Sequence, residues 1–113
     1  MQHESIDQRK VITYCKLRNI KVFAIPNGGK RGAKEAYFLK LEGVSAGVPD
    51  LCIPIPNEKY HGLFIEMKYG KNKTTSSQKE WINYLNKNGY LAVVCYGCDQ
   101  AFDTITKYLK GAL

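Results

Sequence analysis

The sequence predicts an α/β fold in which a mixed sheet is flanked by helices. Short apolar runs typical of strands alternate with segments of helical spacing, and turn-forming Gly, Pro and Asn residues separate them. The 113 residues, of which 44% are hydrophobic, also suffice for one domain with one core. We therefore expect a single domain spanning residues 1–113, with the element order α-β-α-β-β-α-β-α.

The first half of the chain is expected to begin with a helix over residues 4–18. Apolar residues recur there at spacings of three and four, and neither Gly nor Pro interrupts the segment. These residues are Val11, Tyr14, Cys15 and Leu17 or Arg18. A short strand follows at 21–25, and Pro26 ends it. Residues 34–42 fit neither the helical nor the strand period well, and we favour a helix.

The last third of the chain predicts a helix, a strand and a final helix. Ser77 and Glu80 have the spacing of a capping box, which predicts a helix over 78–88. Residues 90–96 form an apolar run typical of a fully buried strand, and Asp99 is expected to cap the helix that follows. The apolar residues expected to face inward are Trp81, Ile82 and Leu85 in the first helix, and Phe102, Ile105 and Leu109 in the second.

Three charged residues lie in two strands, predicted over 50–55 and 62–68, that we expect to form a hairpin. Because side chains alternate along a strand, Glu66 and Lys68 project from the same face, about 7 Å apart along the chain. Two carboxylates, Asp50 and Glu66, beside one ammonium are costly to hold together unless a hard divalent cation and a phosphate bind there. This pattern points to metal-assisted phosphodiester hydrolysis, in which Lys68 orients the attacking water and offsets charge on phosphorus. The alternative is an exposed edge strand with a surface ion pair.

Four further groups are candidates for the same site. The backbone carbonyl of Met67 could be an additional metal ligand. Gln78 is expected in the first turn of a helix, where it could donate to a phosphate or orient water, or be an ordinary exposed residue. Glu4 opens the first helix and could supply another carboxylate to the metal, although a Glu in a first turn is also favoured by the helix dipole alone. Asp7 competes with it for this role.

The charge of the chain favours a polyanionic partner. Lys and Arg total 17 against 10 Asp and Glu, a formal net charge of +7. Such an excess favours nucleic acid, since each phosphate neutralised releases counterions, although a basic but otherwise ordinary protein is the alternative. Basic residues interleave with the aromatic residues Tyr37 and Tyr69 in two stretches, which suit a phosphate backbone with occasional stacking, or are solvated faces. The residues proposed to contact DNA are Asn27, Lys30, Arg31, Lys34, Lys71 and Lys73.

The four cysteines are expected to be reduced and structural. Cys52 and Cys95 lie in apolar runs, where a free cysteine behaves as a small buried hydrophobe. Cys95 and Cys98 have a C-x-x-C spacing, but neither a second such pair nor a His pair completes a zinc site in the sequence. No apolar run approaches the roughly 20 residues that cross a membrane, and no signal-peptide pattern is present, so we expect a soluble, cytoplasmic protein.

Together these motifs resemble the VRR-NUC domain, the virus-type replication-repair branch of the PD-(D/E)XK nuclease superfamily. The residues that carry the resemblance, over about 4–109, are Glu4, Asn27-Gly28-Gly29, Gly47-Val48-Pro49-Asp50, Glu66-Met67-Lys68, Gln78 with Trp81, and Gly89-Tyr90 before Val94. The resemblance implies a restriction-endonuclease-like α-β-β-β-α-β core followed by a C-terminal helix. It also implies Mg²⁺ or Mn²⁺ bound by Asp50 and Glu66, a catalytic Lys68, Gln78 near the scissile phosphate and Glu4 as a supporting acid.

The chain carries no extra domain, so it resembles the stand-alone phage or bacterial members of the family, which are similar to Holliday-junction resolvases. That resemblance implies a homodimeric, structure-selective DNA endonuclease that cuts four-way junctions, in the host cytoplasm if a phage encodes it. Two alternatives stay open. The protein could be a nuclease of flap, nicked or duplex DNA, or a nucleic-acid-binding module without catalysis.

Overall fold

Every helix and strand predicted from the sequence is present in the computed structural model, which describes residues 3–26 and 32–113. In chain order they are α1 His3–Leu17, β1 Phe23–Ala24, α2 Ala33–Leu41, β2 Leu51–Ile53, β3 Leu63–Lys68, α3 Ser76–Lys87, β4 Leu91–Tyr96 and α4 Cys98–Leu109. The element order is therefore confirmed, and so is a helix for the ambiguous segment 34–42. The predicted strands 21–25 and 50–55 are shorter than expected. No helix in the described ranges has both the length and the apolar character needed to cross a membrane.

The strands form one mixed sheet with the order β1-β2-β3-β4. β1 pairs with β2, and β2 with β3, in antiparallel orientation, so the predicted hairpin is confirmed. β3 and β4 are parallel, and α3 provides the crossover connection that parallel neighbours require. The α/β class with a mixed sheet flanked by helices is thus as the sequence predicts.

The core lies on the side of the sheet that α1 and α4 cover. Leu63, Ile65 and Met67 alternate along β3 and pack into one hydrophobic cluster. The cluster is completed by Val11 and Cys15 from α1, by Leu51 and Ile53 from β2, by Cys95 from β4, and by Ala101, Ile105 and Tyr108 from α4. Because Glu66 and Lys68 alternate with these residues, they project from the opposite face of β3.

One residue predicted to face inward is wrong, and one predicted strand is less buried than expected. Leu109 is 38% exposed. Tyr108 takes the inward position on α4, where its hydroxyl donates to the Ile55 carbonyl at 2.7 Å, so its polar end is satisfied inside the core. β4 is only half-buried, with Ala92 and Cys95 its buried residues. It is the last strand of the sheet order, so one of its edges has no partner strand among the residues that the structure describes.

The last helix begins at Cys98, and its N-cap is Gly97 and not Asp99, which lies in the first turn. The Gly97 amide donates to the Lys68 carbonyl at 3.1 Å, so the chain stays beside β3 for one residue beyond β4 and then turns at once into α4. That turn gives Gly97 a φ of 87°, a conformation that side chains rarely adopt. The requirement for glycine therefore outweighed the capping preference of Asp99.

Candidate active site

The register of the β2–β3 hairpin brings the two predicted metal ligands together. Leu51 pairs with Ile65, and the antiparallel ladder continued by one residue sets Asp50 opposite Glu66. Residues directly opposite each other in such a pair project from the same face, with their Cβ atoms about 4.5–5.5 Å apart. Asp50, Glu66 and Lys68 therefore converge as the sequence predicts, at the end of β3 that α3 follows.

Glu66 and Lys68 are buried rather than exposed, with side-chain exposures of 3% and 9%. The Lys68 Nζ lies 3.6 Å from the Glu66 Oε2. This geometry excludes the alternative of an ion pair on an exposed edge strand, because β3 lies inside the sheet between β2 and β4. Lys68 compensates the charge of one carboxylate, so the burial of Glu66 opposite Asp50 leaves a second carboxylate for a further cation to compensate.

Asp50 is held in place by the backbone of β3. Its Oδ2 accepts a hydrogen bond from the Met67 amide at 2.8 Å, which ties the end of the segment before β2 to β3. The side chain of Met67 points the other way, into the core. The carbonyl of Met67 as a metal ligand stays a prediction.

Gln78 both caps α3 and contacts Glu66, and the cap of α3 differs from the predicted one. The capping box consists of Thr75 and Gln78, not of Ser77 and Glu80. The Thr75 Oγ1 accepts from the Gln78 amide at 3.2 Å, and the Gln78 Oε1 accepts from the Thr75 amide at 2.9 Å. The other end of the Gln78 amide, Nε2, donates to the Glu66 Oε2 at 3.2 Å. Gln78 therefore positions a carboxylate of the site.

The loop before β2 is packed tightly against the start of α3. Gly47 has a φ of 93°, and a Cβ there would lie 2.6 Å from the carbonyl carbon and oxygen of Ser77. Glycine is needed both for this conformation and for the close approach. The contact fixes the distance between the segment that ends at Asp50 and the helix turn that carries Gln78.

The electrostatics of the pair favour a bound cation. Burial, followed by repulsion from Asp50, raises the pKa of Glu66 to about 8, against the lowering effect of Lys68. Burial likewise raises the pKa of Asp50, although its hydrogen bond from the Met67 amide opposes the shift. In addition, the Glu66 Oε1 is buried and has no hydrogen-bond partner among the residues that the structure describes. A buried acceptor without a partner costs free energy, and a bound metal ion would supply the missing partner.

These donors fit a hard divalent cation. Within residues 3–26 and 32–113, no three His, Cys, Asp or Glu side chains form a metal-ligand cluster. Two carboxylates with room for water and a phosphate are the donor set that Mg²⁺ accepts in nucleotide-processing sites. The C-x-x-C cysteines are free thiols, and Cys95 is buried in the core.

Glu4 lies in the first turn of α1 and faces the same site from the side. Glu4 and Asp50 both line a cleft of about 510 Å³, and the charge of Glu4 contributes to the raised pKa of Asp50. Asp7, the competing candidate, instead interacts with Cys98. The sequence analysis missed Asn72, whose Nδ2 donates to the Glu4 Oε1 at 2.8 Å. A lone Asn in a basic loop carries no sequence signal for this contact.

Some of the residues proposed to contact DNA can be placed. Lys34 lies exposed in the first turn of α2, and Lys71 and Lys73 are exposed in the loop directly after Lys68, residues 69–75 (the β3–α3 loop). Asn27, Lys30 and Arg31 lie outside the described residues. The analysis also missed the polar residues of α1 that line the cleft, Ser5, Gln8, Arg9 and Thr13, which their helical spacing from Glu4 could have indicated.

Comparison with known proteins agrees with this geometry. The family model described as "VRR-NUC domain" matches residues 15–99. A solved structure of a "VRR_NUC domain protein" superposes with a TM-score of 0.84 at 36% sequence identity, over 97% of this chain and 90% of that one. Among curated proteins, none matches the chain.

Proposed function

The chain belongs to the VRR-NUC domain family, and on that premise we propose that it is a Mg²⁺- or Mn²⁺-dependent endonuclease of branched DNA. The family implies a nuclease of the PD-(D/E)XK-like kind. The finer proposal is a homodimeric Holliday-junction resolvase that works on DNA inside the cell. The observation that carries metal dependence is the buried Asp50–Glu66 pair, in which the Glu66 Oε1 lacks a hydrogen-bond partner among the described residues.

The roles of the residues follow from their positions. Asp50 and Glu66 would hold the divalent cation, which when bound supplies Lewis acidity to the phosphodiester. Lys68 lies beside Glu66 and can orient the attacking water and offset the negative charge that develops on the phosphate oxygens. Gln78 keeps the Glu66 carboxylate in one orientation through its hydrogen bond to Oε2. Preorganised groups of this kind lower the barrier because they need not move during the reaction.

DNA as the substrate is supported by the charge of the chain and by α2. The formal net charge is +7, and Lys71 and Lys73 lie in the loop directly after the catalytic strand. No residue of α2 is buried, and Tyr37 and Phe38 are 60% and 50% exposed on a helix that also carries exposed lysines. Exposed aromatic side chains among lysines suit unpaired bases beside a phosphate backbone, which a branched substrate offers.

The homodimer is supported by the symmetry of the substrate. A four-way junction is resolved by two related incisions, and one chain of this size carries one Asp50–Glu66–Lys68 site among its described residues. A C2 dimer would supply two such sites related by a two-fold axis.

The test is a cleavage panel of four-way junction, flap, nicked and duplex DNA with Mg²⁺ or Mn²⁺. A resolvase cuts the junction with paired, symmetric incisions, whereas cleavage of the other substrates alone would replace this proposal by a flap or duplex nuclease. We expect Lys68→Ala to reduce cleavage by roughly 100-fold or more, and Asp50→Asn to reduce it together with metal binding. Lys79→Ala, which removes an exposed lysine of α3, is the matched control.

Two results would contradict the proposal. The first is an absence of cleavage with either metal, and tight junction binding in that case would indicate a binding module. The second is undiminished cleavage by Lys68→Ala.

Light scattering of the wild type and of Tyr37→Ala tests the assembly: a dimer that Tyr37→Ala converts to a monomer would assign α2 to the subunit contact instead of to DNA.

A further inference from the structure

The β3–α3 loop is attached to the first turn of α1 by two side-chain contacts and to the end of β4 by a third. The rings of His3 and Tyr69 stack with centroids 4.3 Å apart and planes 11° apart. The Asn72 Nδ2 donates to the Glu4 Oε1 at 2.8 Å, and the Tyr96 hydroxyl donates to the Asn72 carbonyl at 2.8 Å. The loop is thus attached on one side to α1 and on the other to the end of β4.

These contacts decide where the Glu4 carboxylate lies. The first turn of a helix frays readily, and a Glu side chain there samples several rotamers unless something holds it. Asn72 holds one oxygen of Glu4 in the cleft that Asp50 also lines. Asn72 is itself restrained by two hydrogen bonds of its backbone. The Tyr96 hydroxyl donates to its backbone carbonyl, and its backbone N–H donates to the Tyr69 carbonyl at 3.2 Å.

We propose that Asn72 is a positioning residue that holds Glu4 toward the Asp50–Glu66 site and thereby strengthens binding of the divalent cation. This inference rests on the metal-dependent nuclease proposed above. Glu4 would act as an outer carboxylate that orients the cation's water or adds negative potential, since no three-carboxylate cluster forms among the described residues. Outer-shell groups of this kind typically change metal affinity by about 10- to 100-fold.

The identity of the residue supports this role. Asn72 is flanked in sequence by Lys71 and Lys73. A lysine in place of Asn72 would form an ion pair with Glu4 and cancel its charge. A neutral amide orients the carboxylate and leaves its charge available to a cation. It also leaves the second oxygen of Glu4 free of the Asn72 amide.

The test measures metal binding directly, by calorimetric titration of Mn²⁺ into metal-free protein. We expect Asn72→Ala to weaken Mn²⁺ binding by roughly 10-fold or more, with a melting temperature of the metal-free protein close to that of the wild type because the residue is exposed. Asn88→Ala is the matched control. It removes an equally short hydrogen bond, from the Asn88 Nδ2 to the Tyr84 carbonyl at 2.8 Å, from another exposed Asn at the far end of α3.

A second pair of variants separates positioning of Glu4 from general support of the loop. In a Glu4→Ala background, Asn72→Ala should weaken Mn²⁺ binding no further, since the residue acts through Glu4. Asn72→Leu keeps a γ-branched side chain and the backbone carbonyl that accepts from Tyr96, but it has no N–H to donate to Glu4, so it should weaken binding about as much as Asn72→Ala.

Three results would overturn the inference: wild-type Mn²⁺ affinity in Asn72→Ala, a full additional loss in the Glu4→Ala background, or wild-type affinity in Asn72→Leu. The proposed nuclease function is judged separately, from DNA cleavage by the wild-type protein at saturating metal. A wild type that binds Mn²⁺ with the predicted pattern of variants but cuts no DNA would contradict the function and leave the role of Asn72 intact.

Discussion

Binding of a divalent cation should displace a proton from the Asp50–Glu66 pair. The pKa of Glu66 is raised to about 8 by burial and by the charge of Asp50, so this carboxyl is mostly protonated at neutral pH in the metal-free protein. A cation binds the ionised form. A group with a pKa of about 8 is about 90% protonated at pH 7 and about 10% protonated at pH 9, so we expect release of about 0.9 proton per site at pH 7 and about 0.1 at pH 9.

The same pKa predicts how the stability of the metal-free protein depends on pH. The folded-state pKa lies above the ordinary value of 4.5, so the stabilising contribution of the protonated group is fully present below about pH 4.5 and is lost as pH rises through about 8. The difference corresponds to at most roughly 5 kcal/mol. Metal should reverse this loss, because it replaces the proton as the partner of the buried carboxylates.

Both quantities can be measured on one sample. Titrations of Mn²⁺ in buffers of different ionisation enthalpy give the number of protons released, and urea unfolding in EDTA gives the stability from pH 5 to pH 8. Glu66→Gln should flatten the pH dependence of stability, whereas Glu80→Gln, which alters an exposed carboxylate of α3, should leave it as in the wild type. Proton release near zero at pH 7, metal-free stability that does not fall between pH 5 and pH 8, or an equal fall in Glu66→Gln would refute the reasoning.

Two further substitutions, Gly47→Ala and Gln78→Ala, each compared with a matched control, test the parts that position the site. Gly47→Ala and Gly43→Ala both place a side chain at positive φ, which costs about 1–3 kcal/mol. Only Gly47→Ala also meets the backbone of α3, so urea unfolding should show an additional loss of about 1–3 kcal/mol, and equal losses would contradict the close packing. Gln78→Ala and Thr75→Ala both remove the capping box, at about 1 kcal/mol each. Mn²⁺ affinity should fall by about 10- to 100-fold only in Gln78→Ala, which loses the bond to Glu66, and a similar fall in Thr75→Ala would assign the effect to the cap.

The convergence of the charged residues was predictable because it depends on short-range geometry. Alternation along a strand puts Glu66 and Lys68 on one face whatever the rest of the fold does. The position of Asp50 needs the register of the hairpin as well. That register is strongly specified, because a slip of one residue would turn the apolar face of β2, which includes Leu51, away from the core.

Two of the missed features, the cap of α3 and the role of Asn72, depend on contacts between segments distant in sequence. Two overlapping pairs, Thr75 with Gln78 and Ser77 with Glu80, match the capping-box pattern, and local preference does not separate them. In the structure the helix starts at Ser76, and Gln78 then donates to Glu66, a contact with β3 that the local pattern does not contain. Asn72 is a similar case, since its partner Glu4 lies 68 residues earlier in the chain.

The identity of Gln78 is explained by the site and not by the helix that it caps. A Glu at this position would complete the capping box with Thr75 equally well, and its charge would suit the positive end of the helix dipole. It would also place a third carboxylate against Glu66, whose pKa is already raised by a like charge. A Gln supplies the same capping oxygen and adds an N–H that donates to Glu66. One side chain therefore contacts both the start of α3 and the carboxylate pair, so a shift of the helix would disturb the proposed metal site.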